Sequence, residues 1–369
     1  MSIAIRSFAK INLGLKIGPA RPDGFHELRT IYQTLALHDL VRVDVQPGSG
    51  IEIRCNDVRG PLDQSNTCYK MTERVLATLT RTKSAGENSA KQIPRGLKPT
   101  RDDKEKRATC GTAEAVPFQS KIVVEIDKRL PVQGGMGAAS SNAVATMLGL
   151  ERALDLKLST ADKLLIAAEV GSDVPLFLLG GTVLGVGRGE EVYPMPDLPT
   201  QHVVVVTPPI GVSTPKAFAQ WDELVARDAA LTASGVTGRM NKFSHGLFYL
   251  LDKSFPQALA EAGLASGVPA VGGDRAETPL LDLVRAGIEN DFERVVFPEY
   301  PELREVKRVL QREGALYASL SGSGSTLYGV FASAGEAQAA AGRVNATGHP
   351  ALATTTLTRD EYWKAVVSG

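Results

Sequence analysis

The chain has 369 residues, enough for two domains that each bury a sizeable interior. Lysine plus arginine balance aspartate plus glutamate at 41 each, so no overall basic field marks a nucleic-acid binder, and any polyanion site must be local. Three cysteines, Cys55, Cys68 and Cys110, form no Cys-x-x-Cys pair, which argues against a disulfide framework or a zinc site and suits a reducing cytoplasm.

From the N-terminus, Met-Ser-Ile-Ala-Ile-Arg leads into no long apolar run, and no stretch of eighteen apolar residues follows anywhere, so no membrane span is expected. The segment Ser7 to Ile17 alternates apolar and polar residues after Lys10 and reads as a strand with Lys10 and Asn12 on one face. Taken alone, Lys10 suits a solvated edge as readily as a site. The tight turn Pro22-Asp23-Gly24 is followed by Phe25 and His26, a flat apolar face beside ring nitrogens. Such a pair can stack on and hydrogen-bond a base; the plainer alternative is that His26 braces the turn. A strand around Val41 to Val45 comes next, and Asp63-Gln-Ser-Asn66-Thr opens a helix. Residues 82–118 are rich in charge and small polar side chains and are expected to be an inserted, solvated loop rather than a third domain.

The strand Ile122 to Ile126 then feeds Pro131-Val-Gln-Gly134-Gly135-Met-Gly137-Ala138-Ala139-Ser140-Ser141, with a helix expected to begin at Ser140. Three glycines remove side chains that would hold an anion away from backbone N–H groups, and a helix start adds unpaired donors. The loop lacks the Gly-Lys-Ser/Thr of a Walker motif and the Gly-x-Gly-x-x-Gly of a dinucleotide fold, so it is either another class of phosphate cradle or an ordinary turn. Ser159-Thr-Ala-Asp162 is a capping box for a helix to Val170. Beyond it, Asp173 in Gly171-Ser-Asp-Val-Pro175 is either a turn cap or a catalytic carboxylate. The apolar run Val203 to Val206 ends in prolines, placing a domain boundary near residue 206. An amphipathic helix from Pro301 to Glu313 precedes a second glycine-rich loop at Ser321-Gly322-Ser323-Gly324.

The order Pro-x-x-Gly-Gly-Met-Gly-x-x-Ser-Ser from Pro131 resembles the signature of the superfamily of galactokinase, homoserine kinase, mevalonate kinase and phosphomevalonate kinase. Ala9-Lys-Ile-Asn-Leu13, Arg21-Pro-Asp-Gly-Phe-His-Glu-Leu28 and Gly171-Ser-Asp-Val-Pro-Leu-Phe177 narrow the likeness to the family of 4-diphosphocytidyl-2-C-methyl-D-erythritol kinases. That resemblance implies a two-lobed α+β fold: a nucleotide-binding and catalytic domain at 1–206 carrying the insertion, a C-terminal domain at 207–369, and a cleft between them. It implies transfer of the γ-phosphoryl of ATP, with magnesium, to the 2-hydroxyl of a cytidylyl sugar alcohol on the non-mevalonate route to isoprenoid precursors. The partners would be small molecules, with neither nucleic acid nor membrane.

By the same resemblance, Asp173 would accept the hydroxyl proton and Lys10 would keep it ionised and offset charge on the moving phosphoryl group. Pro131, Gly134, Gly135, Gly137, Ala138, Ala139, Ser140 and Ser141 would hold the triphosphate. Asn12, Phe25 and His26, with Ser321, Gly322 and Ser323 of the second loop, would face the cytidylyl substrate. No metal ligand is assigned. The chain departs from the family at Gln133, Met136, Ala138 and Ala139, where glycine or leucine is more typical, and at Phe25, where tyrosine is frequent. Another kinase of the superfamily would have no use for Phe25-His26, and a non-catalytic homologue could dispense with Lys10 and Asp173.

Overall fold

The computed structural model describes residues 2–90, 120–131, 134–228, 238, 240, 241, 243 and 289–367. Strands β1 (Ile3–Ala20) and β2 (His26–Pro47) form a long antiparallel hairpin closed by the Pro22-Asp23-Gly24 turn. Strand β2 also pairs with β4 (Ser120–Asp127) and β5 (Thr182–Val186); β3 (Ile51–Cys55) runs parallel to β4, and β6 (Glu191–Pro194) pairs with β5. The sheet order is β3-β4-β2-β5-β6, with β1 lying on β2.

Helices α1 (Thr67–Ala90), α2 (Ala138–Ala153) and α3 (Thr160–Val170) belong to this lobe. Val144, Met147 and Leu150 of α2 meet Val41, Val43 and Val124 in its core, while Leu148 and Leu154, expected on the same face, are only partly buried against it. Ser159 caps α3 by accepting the Asp162 N–H, as the capping box requires.

The second sheet has the order β10-β7-β9-β8, from β7 (His202–Val206), β8 (Tyr317–Leu320), β9 (Leu327–Phe331) and β10 (Ala351–Thr355). Helices α4 (Thr214–Arg227), α5 (Glu293–Glu299), α6 (Pro301–Arg312) and α7 (Ala334–Ala346) accompany it. Helix α8 (Arg359–Val367) returns to the first lobe, where Tyr362 and Val366 join the core and the Tyr362 hydroxyl donates to the Phe177 carbonyl at 2.7 Å.

Three boundaries differ from expectation. The valines of β7 are buried and lie in the second sheet between β10 and β9, so the sheets divide before His202 rather than at residue 206. Helix α1 runs on to Ala90, through residues expected to open the insertion, because no proline interrupts it before Pro94. The remainder of that insertion, with Cys110, lies outside the described residues. Helix α2 starts at Ala138, two residues before Ser140, because Gly137 takes the left-handed conformation that ends the loop.

Strand β1 is buried along almost its whole length and belongs to every core. Ile5 and Phe8 enter the first, Leu15 and Ile17 the second, and Ala9, Ile11 and Leu13 pack with Val203, Val205 and Tyr328 between the sheets. Lys10 and Asn12 alternate with that last group and therefore point to the opposite face.

Candidate active site

The two glycine-rich loops interlock. The Thr326 N–H donates to the Gly134 carbonyl at 3.0 Å, and the Ser321 hydroxyl donates to the Gly135 carbonyl at 3.2 Å. A side chain at Gly135, whose φ is +85°, would come within 2.5 Å of the Ser321 carbonyl and 3.2 Å of the Gly324 Cα. The second loop is held in turn by Asn290, whose amide donates to the carbonyls of Leu320 (2.9 Å) and Gly322 (2.7 Å). Ser321 also accepts the Asn12 N–H at 3.3 Å, whereas Ser323 faces away toward α4, sharing a 2.7 Å hydrogen bond with Thr214.

A cavity of about 340 Å³ opens beside the first loop, bounded by Pro131, Gly134 to Ser140 and, across from them, Arg59, Asn66 and Thr67. Two helix N-termini converge on it. The Asn66 side chain caps α1 by accepting the Cys68 N–H at 2.8 Å, and the Thr67 hydroxyl donates to the Ala139 carbonyl at 2.7 Å, tying α1 to the start of α2. The positive ends of both helix dipoles lie at this space, an arrangement that suits an anion. Ala138 and Ala139 occupy the first turn of α2, where helical backbone accommodates alanine in place of glycine.

Next to the loops lies the charged pair. Lys10, 2% exposed, donates to the Asn12 side-chain oxygen at 2.7 Å and stands 3.3 Å from Asp173 Oδ2. Its own N–H donates to the Met136 carbonyl at 3.0 Å, so the strand that carries the lysine is bonded directly to the first glycine-rich loop. Asn12 is fixed by donating to the Thr30 hydroxyl at 2.7 Å. Asp173 is placed by the turn between α3 and the 3₁₀ segment Pro175–Leu178, and its side chain is about one-third exposed toward the cleft. Irregularities in the β1–β2 register on both sides of Lys10 and Asn12 turn these side chains toward the loops.

Phe25 and His26 diverge. Phe25 is half exposed, and the Arg188 guanidinium lies 5.0 Å from its ring centre. His26 is buried, stacked on Phe218 of α4 at 4.9 Å, with Nε2 at 2.7 Å from Asp222 Oδ1. Its ring is thus engaged by the second lobe. Sequence reasoning missed Tyr32, Arg188, Phe218, Asp222 and Asn290, whose partners lie far from them in the chain, which no local pattern reports. Among the described residues, no helix is long and apolar enough to cross a membrane.

Two interlocked glycine loops, paired helix termini and a lysine–aspartate pair at their edge define a small-molecule kinase of two-lobed construction. Family descriptions agree: residues 106–181 match the GHMP kinases N terminal domain and residues 277–350 the GHMP kinases C terminal. The chain is 34% identical to the 4-diphosphocytidyl-2-C-methyl-D-erythritol kinase of Solibacter usitatus over 89% of its own length and 80% of the relative's. It is 31% identical to the enzyme of that name from Heliobacterium modesticaldum, over 96% and 95%. In fold it is similar to a crystal structure of 4-(cytidine 5'-diphospho)-2C-methyl-D-erythritol kinase (TM-score 0.61, 24% identity, 96% and 99% covered). It is similar in the same way to homoserine kinase from Cytophaga hutchinsonii (TM-score 0.60, 18% identity, 97% and 95% covered). The chain belongs to the 4-diphosphocytidyl-2-C-methyl-D-erythritol kinase family.

Proposed function

We infer that the chain transfers the γ-phosphoryl group of ATP to the 2-hydroxyl of 4-diphosphocytidyl-2-C-methyl-D-erythritol. The observation that carries this reading is the Lys10–Asp173 pair at the edge of two interlocked glycine-rich loops, within a chain of this family. Phosphoryl transfer asks little covalent chemistry of a protein beyond alignment, charge stabilisation and removal of one proton. The substrate oxygen forms a bond to the γ-phosphorus, the bond to the β-phosphate bridging oxygen breaks, ADP leaves, and the hydroxyl proton passes to Asp173. Lys10 directs one N–H to Asn12 and one charge to Asp173, which leaves a further donor for the phosphoryl oxygens.

The triphosphate would lie along Pro131, Gly134, Gly135, Gly137, Ala138, Ala139, Ser140 and Ser141. Asn12, Ser321 and Gly322 would border the alcohol. Phe25 would offer a face for the cytosine, and His26, held by Phe218 and Asp222, would border it. Magnesium would arrive with the nucleotide and offset the phosphate charge. No group of three His, Cys, Asp or Glu side chains among the described residues forms a metal cage, and an ion held by phosphates and water needs none.

The test is ADP release against a panel of alcohols. Turnover with the cytidylyl substrate and little with its uridylyl analogue, homoserine or mevalonate is expected, since each mismatched buried polar group costs about 1–3 kcal/mol. Preferential turnover of homoserine or mevalonate would replace this reading with another kinase of the superfamily.

A further inference from the structure

We propose that Tyr32 is a positioning residue that aims and tunes the Asp173 carboxylate, so that the acid limb of the reaction's pH dependence is set by a phenol as well as by Lys10. The inference rests on the reading of Asp173 as the proton acceptor.

The Tyr32 hydroxyl donates to Asp173 Oδ1 at 3.0 Å while Lys10 stands 3.3 Å from Oδ2, so each carboxylate oxygen has its own partner from a different strand. Two anchors on opposite oxygens fix the rotation of the carboxylate as well as its position. Tyr32 touches both members of the pair, because the Lys10 ammonium also lies 5.5 Å from its ring centre. The β1–β2 register sets Tyr32 opposite Asn12, and the β2–β5 register sets it opposite Val183.

A slot is built for the phenol. A Cβ at Gly185 would come within 2.5 Å of its ring, and one at Gly189, where φ is +101°, within 2.5 Å of its hydroxyl oxygen. Around this arrangement the charged groups are Lys10 and Asp173, and beyond the phenol Glu190, itself paired with Arg188 at 3.0 Å. Burial first, then the Asp173 charge, its hydrogen bond and the Glu190 charge, hold the Tyr32 phenol well above its ordinary range. It therefore stays protonated and remains a donor at every pH where the kinase would work.

A neutral donor stabilises the carboxylate over the carboxylic acid. Removing it makes protonation of the acceptor easier, so activity is lost at a higher pH. A hydrogen bond to a charged acceptor corresponds to a displacement of about one pH unit.

The experiment is the pH profile of kcat/KM for Tyr32→Phe, which keeps the ring in its slot and removes only the hydroxyl, measured beside Asp173→Asn. The acid limb is expected to move up by about one pH unit, with an unchanged melting temperature marking an intact fold. Site-specific replacement of Tyr32 by 3-fluorotyrosine, a stronger donor of nearly the same size, is expected to move the limb down, and it serves if the phenylalanine variant does not fold. An acid limb that stays in place in both, with Asp173→Asn inactive, overturns the role of Tyr32 and leaves Asp173 as the acceptor. Full turnover by Asp173→Asn overturns the acceptor assignment and the inference with it.

Discussion

At the scale of single residues, the site depends on a lysine that is almost wholly buried yet keeps two polar partners. An unpaired ammonium in such a place would be costly, and the Asn12 oxygen and Asp173 together offset that cost. Asp173→Asn keeps the shape of the side chain but cannot accept the proton, so kcat is expected to fall by about a hundredfold to ten-thousandfold with KM within severalfold. Lys10→Met is expected to fall by a similar factor, and the double variant by much less than the product, because the pair acts as a unit. Steady-state kinetics on the three proteins check this; full activity in either single variant would remove that residue from the mechanism. Lys10 and Asn12 were legible in the sequence as neighbours on one strand face, since the period of two is local. Tyr32 was not, because its approach to Asp173 depends on how β2 is laid against β1 and β5.

At the scale of elements, the first glycine-rich loop is shaped as much by the second lobe as by its own glycines. Gly135 lies against the Ser321 carbonyl and Gly324, and the carbonyls of Gly134 and Gly135 are taken by Thr326 and Ser321. In Gly135→Ala the added methyl meets backbone at 2.5 Å and the residue must hold φ at +85°, so the loops must separate. We expect KM for ATP to rise at least tenfold, and a nucleotide-binding titration with an unchanged affinity would show that the loops do not act together. The strand before this loop and the helix after it were readable from periodicity, though the helix begins two residues earlier than expected. The interlocking was not, because it joins segments 186 residues apart in the chain. The sequence likewise set Phe25 and His26 side by side at the cleft, whereas strand alternation and the partners on α4 send the two rings in different directions.

At the scale of the whole molecule, the lobes are fastened by a buried ion pair. Lys16 of β1 meets Asp291 at 3.2 Å, and the same carboxylate accepts the Ile17 N–H at 3.1 Å. Lys16→Met removes one member of this buried ion pair and is expected to lower the midpoint of urea unfolding. An unchanged midpoint would mean that the fastening contributes nothing net. Alkaline pH acts on the molecule more broadly. Burial pushes the Cys68 thiol up to about 12 and holds the phenols of Tyr32, Tyr317, Tyr328 and Tyr362 above their ordinary range. The unfolded chain releases these protons first, so stability is full below the ordinary thiol and phenol values and falls as pH rises above them. Absorbance at 295 nm should show these tyrosines ionising together with unfolding; smooth, independent titration of the folded protein would contradict it.

Strand β1 bears on the order in which the molecule is made. The Tyr328 hydroxyl that holds the Asn12 carbonyl is synthesised 316 residues after it. The ribosome therefore releases Lys10, and the strand that all three cores share, long before β8, β9 and β10 exist to receive them. A nascent chain ending at Tyr300 would leave uncovered the part of β1 that β8 and β9 later pack against, and limited proteolysis of that fragment should cut within residues 3–20. For that interval, β1 exposes apolar surface of the kind that chaperones cover.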